Sequence, residues 1–516
     1  RLYSKGLGIV AASATLASRE PQFSRGFWPG RPKPPEKRNG IGSGVVFAAA
    51  KETTPDPFFD EATVALLRAG DTLGVNQLES PAMRHLLIQM RPNGLDDVVQ
   101  ALALLRPGAA SAGMKERFLR RRRGLEPIAV HPRLEPVLRQ TQGLMLYEDD
   151  ALRVVRALTD LTIAEADRVR KEAAREHTED EARRLIQEFA DACAVHGVPR
   201  AVAEEQWRQL TKFRHYTFCK SHAVSYGLIA WRAAYLKAHH PLAFWIAALN
   251  NNQGAYPRRV YVEAIKRAGF RLLLPCANRS RGPFTPEGDA VRAGLGTIAS
   301  LERELLDNIL AERDHNGPYR DLADFRRRLR PEPEALALLI GCGPLDFTGR
   351  PRPDLFLEAD LRDRDKGQAG LFAAEPADWL PKNYGEDCRL RDEWRLLGFV
   401  VGPPLMSLFR PQLPRHLVTS RELPQHVGRR VHVAGVTATA RHTLTAKGRP
   451  MQFVTLEDEW GLIEVTLFPG SAPQTPYLTL GPYLAAGTVE DHYGVLTVNA
   501  SSFQRVPPSI YRFAKR

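Results

Sequence analysis

Apolar residues recur at helical spacing through the first half of the chain, between Pro55 and about Asn250. Short turns with Gly or Pro separate the periodic segments, of which the clearest are PFFDEATVALLRAG, SPAMRHLLIQM, LDDVVQALALL, LRVVRALTDL and EDEARRLIQEFADACAVHG. The pattern changes in the last quarter, where RRVHVAGVTATARH and MQFVTLEDEWGLIEVTLFP alternate apolar and polar residues between Gly-containing turns. The sequence therefore predicts a helical region followed by a small β-barrel of about five strands.

The intervening residues predict smaller elements. FRLLLPCAN, residues 270–278, is typical of a short strand, and 291–346 predicts a small helical module with Gly-containing turns. Residues 1 to about 55 are rich in Gly, Pro, Arg and Ala without periodicity, which indicates an irregular segment. We therefore expect a multidomain α+β protein with boundaries at 1–55 (irregular), 56–270 (helical), 271–348 (helical module), 349–395 (linker), 396–428 (connector), 429–508 (barrel) and 509–516 (tail).

Charge and cysteine usage narrow the partners and the compartment. The 516 residues carry a formal net charge of +13, which favours an acidic partner such as nucleic acid or an anionic surface. The five cysteines form no C-x-x-C pair, which argues against a zinc ribbon or a disulfide scaffold and favours a reducing cytoplasm. No apolar run approaches the roughly 20 residues of a membrane-spanning helix. RLYSKGLGIVAASATLAS at the start resembles a weak signal peptide, but without an initiator Met we expect a fragment end instead.

The segment FCKSHAVSYGLIAWRAAYLKAHHP, residues 218–241, predicts a long helix with Ser221 as its N-cap and Pro241 at its end. The first turn of such a helix offers unpaired N–H groups and the positive end of the helix dipole, both suited to phosphate. Lys220 adds a mobile positive charge there, and His222 adds a polar ring. The alternative is a capped core helix with an incidental histidine.

Several segments, in the same order, resemble the C-terminal half of a bacterial C-family DNA polymerase of the polymerase III alpha-subunit type. They include RAGDTLGVNQLESPAMRHLLIQMRP, ALALLRPGAASAGMKERFLRRRRG, GLMLYEDDALRVVRALTDLTIAEADRVRK, AGLGTIASL, WRLLGFVVGPPL and MQFVTLEDEWGLIEVTLFPG. The resemblance covers roughly residues 55–503 and is closest to the error-prone, damage-tolerant branch, as in FCKSHAVSYGLIAW and GPPLMSLF. It implies a helical fingers region, a small helix-hairpin-helix module and a C-terminal OB-fold barrel.

The resemblance also implies nucleotide-binding residues. His222 matches the position that screens the sugar against a 2′-hydroxyl, and Lys220 and Ser221 would lie near the triphosphate. Arg170 and Lys171 match a basic pair that contacts the triphosphate in relatives. Without the resemblance, these two residues would fit an ordinary solvated helix face.

Further residues are implied as DNA and clamp contacts. The run Arg120, Arg121, Arg122 and Arg123 fits phosphate contact or a solvated helix end, and in the barrel the candidates are Arg441, Lys447, Arg449 and Phe453. Phe453 suits either a stacking face for a base or the barrel core. Gln368, Leu371 and Phe372 give the Q-x-x-L-F pattern with which family members bind the sliding clamp. The helical module lacks a second Gly-x-Gly turn, which leaves DNA binding and a structural role both open.

The family reaction uses Mg²⁺ held by palm aspartates, and we find no counterpart of these in the sequence. Asp363 and Asp365 have suitable spacing in a charged linker, Glu457–Glu459 lie in the barrel, and Asp149–Asp150 begin a helix. We therefore predict part of an error-prone, translesion DNA polymerase that is inactive alone. Its expected partners are primed template DNA, deoxynucleoside triphosphates, a sliding clamp and other damage-tolerance proteins. The alternative is a non-catalytic DNA- and clamp-binding accessory protein.

Overall fold

The computed structural model describes residues 59–106, 113–212, 219–251, 254–364, 382–445, 447–470 and 478–506. These residues form two compact units that divide between His239 and His240, called here the N-terminal unit (59–239) and the C-terminal unit (240–506). The expected boundary near residue 270 differs from this division, because the two helices that follow His239 pack on the small sheet of the C-terminal unit. The segment 1–55, the clamp-binding pattern and the tail 509–516 lie outside the described residues.

The N-terminal unit is helical, as predicted. Its helices are α1 (Glu61–Arg68), α2 (Pro81–Met90), α3 (Leu95–Leu104), α4 (Met114–Arg122), α5 (Glu135–Leu138), α6 (Glu148–Thr159), α7 (Ile163–Ala173), α8 (Glu179–Ala194), α9 (Arg200–Lys212) and α10 (Lys220–His239). The starts of α7 and α8 follow from a local signal in the sequence. Thr162 and Thr178 each accept the backbone N–H of a glutamate three residues on, and that glutamate binds back to the threonine N–H.

Helix α10 lies in the core of this unit, packed on α1 and α3. Gly227 permits the approach to α3, since a Cβ at this position would lie 2.6 Å from Cγ2 of Val99. The last turns of α10 are held by the buried Lys237, whose ammonium donates to the Asp71 carboxylate at 2.7 Å and to the Leu73 carbonyl at 3.1 Å. The C-terminal end of α10 is therefore fixed by buried contacts.

The C-terminal unit begins with helices around a small sheet. Its helices are α11 (Pro241–Asn251), α12 (Arg258–Arg267), α13 (Arg303–Asn316), α14 (Leu322–Leu329), α15 (Pro333–Cys342), α16 (Arg352–Arg364) and α17 (Glu386–Leu397). The sheet comprises β1 (Leu272–Leu273), β2 (Thr285–Glu287) and β3 (Ala290–Arg292), with β3 between the other two. Helix α16 lies in the segment expected to be a linker. The prediction of a linker rested on the aspartates and prolines of this segment rather than on its helical pattern.

Five strands follow: β4 (Arg430–Leu444), β5 (Pro450–Glu457), β6 (Leu462–Leu467), β7 (Tyr483–His492) and β8 (Val495–Arg505). They pair in the order β4-β5-β6-β8-β7, and β7 also pairs with β4, so the sheet closes on itself. All neighbours are antiparallel except β6 and β8. Side chains from every strand fill the interior, including Val433, Val454, Val465, Val489 and Val498. The five-stranded C-terminal sheet predicted from the alternating pattern is confirmed.

Candidate nucleotide and nucleic-acid sites

The start of α10 differs from the prediction in its cap. The helix begins at Lys220, so Ser221 lies in the first turn and Cys219 stands at the cap position. The Cys219 sulfur lies 2.9 Å from the Ser221 hydroxyl. Hydrogen bonds from the Ser221 hydroxyl and from the backbone N–H groups of His222 and Ser221 lower the pKa of the Cys219 thiol. The N-cap prediction for Ser221 was wrong by two positions, because sulfur also accepts backbone N–H groups.

Lys220 contacts the first turn of α6. Its backbone N–H donates to the Asp149 carboxylate at 3.3 Å, and its ammonium lies 5.5 Å from the centre of the Tyr147 ring. Beside these, Asp150 accepts the N–H groups of Leu146 and Tyr147 at 3.0 and 3.1 Å. Burial raises the pKa of Asp150, against the lowering effect of those hydrogen bonds. The Asp149 carboxylate thus already lies at the N-terminus of α10.

Of the basic pair in α7, Arg170 reaches the same region. Arg170 pairs with Glu148 of α6 at 2.9 Å and with Asp167 at 2.8 Å, and Lys171 pairs with Asp167 at 2.7 Å. Hydrogen bonds from Lys171 and Arg170 lower the pKa of Asp167. The first turn of α6 therefore contacts both Arg170 of α7 and the start of α10, whereas Lys171 pairs within its own helix. Glu148 and Asp167 were missed from the sequence, and Asp149 was considered only as a metal ligand, although Glu148 and Asp149 stand in the acidic run YEDD.

His222 lies on the exposed side of the first turns of α10, next to Tyr226. The two rings pack edge to face with centroids 4.6 Å apart. Ser221 is likewise exposed. The first turns of α10 thus present a hydroxyl and two rings beside a basic cluster, an arrangement that can contact a sugar and a polyphosphate together.

The arginine run at the end of α4 is largely structural. Arg122 binds both oxygens of Asp97, at 2.6 and 2.7 Å, and donates to the Met90 carbonyl. Arg121 donates to the Gln142 and Gly143 carbonyls, and Arg123 donates to the Gln89 carbonyl. Arg120 keeps a side chain that is 56% exposed. Three of the four arginines predicted to contact phosphate thus bind carbonyls and carboxylates within the unit. In this respect the run differs from its prediction.

The outer face of β4 and β5 carries Arg441 opposite Phe453, both exposed. Phe453 is 44% exposed while its neighbour Val454 is fully buried, so Phe453 does not belong to the barrel core. Lys447 and Arg449 are exposed in the turn between the two strands. The structure therefore brings an aromatic face and three cations to one hairpin.

In the glycine turn of the helical module, backbone N–H groups donate to carbonyls of a neighbouring segment of the protein. Leu295 and Gly296 donate to the carbonyls of Arg281 and Gly282, both at 2.9 Å. A Cβ on Gly294 would lie 2.2 Å from the Gly282 carbonyl oxygen, which explains the glycine. This turn supports the structural role, because these two donors are not directed to a ligand.

In the barrel and at the start of α6, the carboxylates considered as metal ligands are engaged elsewhere. Glu457 pairs with arginines of α12, and Asp458 accepts the N–H groups of Ser420, Trp460 and Gly461. Asp149 and Asp150 bind backbone N–H groups. The side chain of Asp363 and the whole of Asp365 lie outside the described part of the chain. These side chains do not fit a pair of Mg²⁺ ions, so no catalytic step is assigned to a metal held by them.

Comparison with known proteins gives matches over most of the chain. The finger domain of the bacterial DNA polymerase III alpha subunit matches residues 51–197, and a helix-hairpin-helix motif matches 269–355. An error-prone DNA polymerase of Symbiobacterium thermophilum is 31% identical over 466 residues, which cover 80% of this chain and 43% of the relative.

Two further relatives are similarly close. The DNA polymerase III subunit alpha of Aquifex aeolicus is 31% identical over 425 residues, covering 80% of this chain and 36% of the relative. An error-prone DNA polymerase of Mycobacterium tuberculosis is 31% identical over 461 residues, covering 87% of this chain and 41% of the relative. The chain thus spans about two fifths of the length of these relatives. Within the described residues, every helix is too short or too polar to cross a bilayer.

Proposed function

Because the chain belongs to the bacterial C-family DNA polymerases as a portion of the alpha-subunit type, we propose that it binds deoxynucleotide and DNA in error-prone, template-directed DNA synthesis. The observation that carries the proposal is the meeting of Lys220 and Arg170 at the first turn of α6, with Lys171 next to Arg170 in α7. The triphosphate would exchange with Glu148, Asp149 and Asp167 as the partner of these cations. Mg²⁺, which the reaction needs, is assigned to no residue of this chain.

In this proposal His222 limits the space beside the sugar. An exposed imidazole held against Tyr226 is a bulky group at the start of the helix. A 2′-hydroxyl is the group by which a ribonucleotide differs from a deoxynucleotide at this position. The histidine would therefore favour deoxynucleotides by steric exclusion.

We propose that the closed sheet is an OB-fold that binds single-stranded template. Its strand order and its one parallel pair, β6 with β8, support this. OB-folds bind nucleic acid on their second and third strands and on the first loop. Phe453 on β5 offers a stacking surface, and Arg441, Lys447 and Arg449 offer phosphate contacts. Of the arginine run, only Arg120 remains in this proposed set.

The proposed partners are primed template DNA, deoxynucleoside triphosphates and a sliding clamp bound through Gln368, Leu371 and Phe372. The proposed role is translesion synthesis in the cytoplasm, since the motifs resemble the error-prone branch. Relatives named error-prone polymerase and polymerase III alpha match at equal identity, so the branch rests on motifs rather than on identity.

The test is nucleotide binding by the purified chain, measured by calorimetry with deoxy- and ribonucleoside triphosphates. Lys220→Ala and Arg170→Ala should each weaken deoxynucleotide binding about tenfold, because each loses a charge-assisted contact to phosphate. Arg183→Ala, which removes an exposed arginine of α8, should leave it unchanged. His222→Ala should raise relative ribonucleotide affinity on the order of tenfold. DNA binding without nucleotide binding would instead favour the accessory protein.

The barrel face has its own prediction. Phe453→Ala should weaken binding of a single-stranded oligonucleotide by about 1–3 kcal/mol, because a base loses its stacking surface. Phe59→Ala, which removes a phenylalanine that is 56% exposed in the N-terminal unit, is the matched control. Fluorescence anisotropy at two salt concentrations measures both. Equal affinity of the two variants would remove Phe453 from the DNA site.

A further inference from the structure

A cavity of about 540 Å³ lies beside the closed sheet of the C-terminal unit. Its wall is formed by the curved part of β4, by Gln452 of β5, by the segment before β7, and by side chains from α12 and α17. Volumes of about 300–1,000 Å³ are typical of sites for small molecules. Neither the residues at the start of α10 nor Phe453 contribute to this cavity.

One side of the cavity carries a hydrogen-bonding edge. His442 and Gln452 are cross-strand partners, and the Gln452 side-chain nitrogen lies 3.3 Å from Nε2 of His442. Gln452 is fully buried whereas His442 is exposed. The pair therefore places an imidazole beside a buried amide at the cavity wall.

Another side of the cavity is apolar. The indole of Trp394 lines it, together with Leu478 and Leu480. Trp394 is half-buried against the cluster that joins α17 to the barrel. A half-buried indole supplies a rigid flat surface, and such surfaces bind planar rings by stacking.

A cluster of charged side chains, which includes Arg259, lies behind the wall of the cavity. Arg259 lines the cavity and is only 8% exposed; it donates to the Thr437 carbonyl and pairs with Glu457 at 3.4 Å. Lys266 and Arg267 belong to the same cluster, together with the carboxylates Glu263 and Glu457 and, near Lys266, Glu393. Arg259 is the member of this cluster that lines the cavity, and its guanidinium can bind a phosphate.

We propose that this cavity binds a nucleotide, with its base against Trp394, the edge of the base at His442, and its phosphate towards Arg259. A stacking surface, a hydrogen-bonding edge and a guanidinium are the three features that a nucleotide satisfies together. The nucleotide comes either from a single DNA strand, as an unstacked residue, or from free mononucleotide.

The experiment uses the full chain with two probes, a short oligodeoxyadenylate carrying one 5-iododeoxyuridine and free deoxyadenosine monophosphate. Binding is measured by anisotropy and calorimetry, and ultraviolet cross-links are located by mass spectrometry. His442→Ala should weaken binding of at least one probe about tenfold, which corresponds to the loss of one hydrogen bond to the base. Trp394→Phe keeps an aromatic ring and should weaken the same probe less.

His432→Ala is the matched control, because it removes another exposed histidine of β4 that does not line the cavity. Lys220→Ala should leave binding at the cavity unchanged, which separates this proposal from the one for α10. An effect of His442→Ala on the oligonucleotide alone identifies the strand as the source, and an effect on the monophosphate identifies free nucleotide. Unchanged affinity of both probes, or cross-links that all map outside the cavity, would overturn the proposal.

Discussion

Replacing Arg122 with alanine is expected to lower the free energy of unfolding of the N-terminal unit by about 3–5 kcal/mol. The guanidinium binds both oxygens of Asp97 and also donates to the Met90 carbonyl, the last residue of α2. Asp97 in turn accepts the Asn93 N–H at 2.6 Å before α3. Both side chains are largely buried, so the variant leaves an uncompensated carboxylate and an unpaired helix end. Guanidinium denaturation of the full chain, with hydrogen exchange of α2 and α3, measures the loss.

Arg120→Ala is the matched control in the same helix. Its side chain is 56% exposed and pairs with Glu126 at 3.4 Å, so its removal should cost no more than about 1 kcal/mol. Arg122→Lys should recover only part of the loss, because an ammonium cannot bind two oxygens and a carbonyl with the geometry of a guanidinium. Equal destabilisation by Arg120→Ala and Arg122→Ala would show that charge density, rather than the buried contacts, explains the effect.

The second large effect is expected at Glu457, which is 1% exposed and pairs with Arg259 and Arg267 of α12. Glu457→Leu removes the acceptor and leaves two guanidinium groups without this partner, at a cost of about 3–5 kcal/mol. Glu457→Gln keeps an acceptor oxygen and should cost clearly less. Denaturation of the full chain, with hydrogen exchange of β5 and α12, distinguishes the two variants. A leucine variant as stable as the glutamine variant would contradict the proposed role of the buried pair.

The Glu457 carboxyl also makes the free energy of unfolding depend on pH, and the direction of its pKa shift fixes the sign of that dependence. Burial raises the pKa of Glu457 from 4.5 to about 7, although Arg267 and Arg259 oppose this. The folded state therefore holds this proton at pH values where the unfolded state has released it. Its contribution to stability is complete below pH 4.5 and is lost as the pH rises through 7, by about 3 kcal/mol in total. The Glu457→Gln variant should lack this slope between pH 4.5 and 7, whereas a retained slope would assign it to another group.

Periodicity in the sequence predicted the broad layout of the fold because each signal was local. Apolar spacing gave the helices of the N-terminal unit, and alternation gave the five strands from β4 to β8. Helix α16 was missed because its aspartates and prolines resemble a linker in composition. The division at His239 was missed for a different reason. It depends on which sheet α11 and α12 pack against, and packing across distant segments leaves no local pattern.

For the candidate sites too, sequence signals found some residues and missed those whose role depends on packing. Residue type and helix position led to Lys220, and the family resemblance led to Arg170 and Lys171, but neither led to Glu148 and Asp167, which pair with that basic pair. The four consecutive arginines show the reverse error, since a run of like charges suggests a solvated surface. Arg121, Arg122 and Arg123 instead donate to the carbonyls of Gln142, Met90 and Gln89, which lie in other segments and become neighbours of α4 only in the folded unit. Phe453 was undecided because both faces of a strand can carry an aromatic residue.

The two ends of α10 are held with different strength, and this has a mechanical consequence. Lys237 anchors the end of the helix through buried contacts with Asp71 and Leu73, and Gly227 brings its middle against Val99. Its first turn lies at the surface, where the Lys220 N–H donates to Asp149 at 3.3 Å and the Lys220 ammonium lies 5.5 Å from the centre of the Tyr147 ring. Exposed contacts open more readily than buried ones, so we expect amide hydrogen exchange in α10 to be slowest between Gly227 and Lys237. A ligand at the first turn would therefore act on the least buried part of the helix and leave its packed remainder in place.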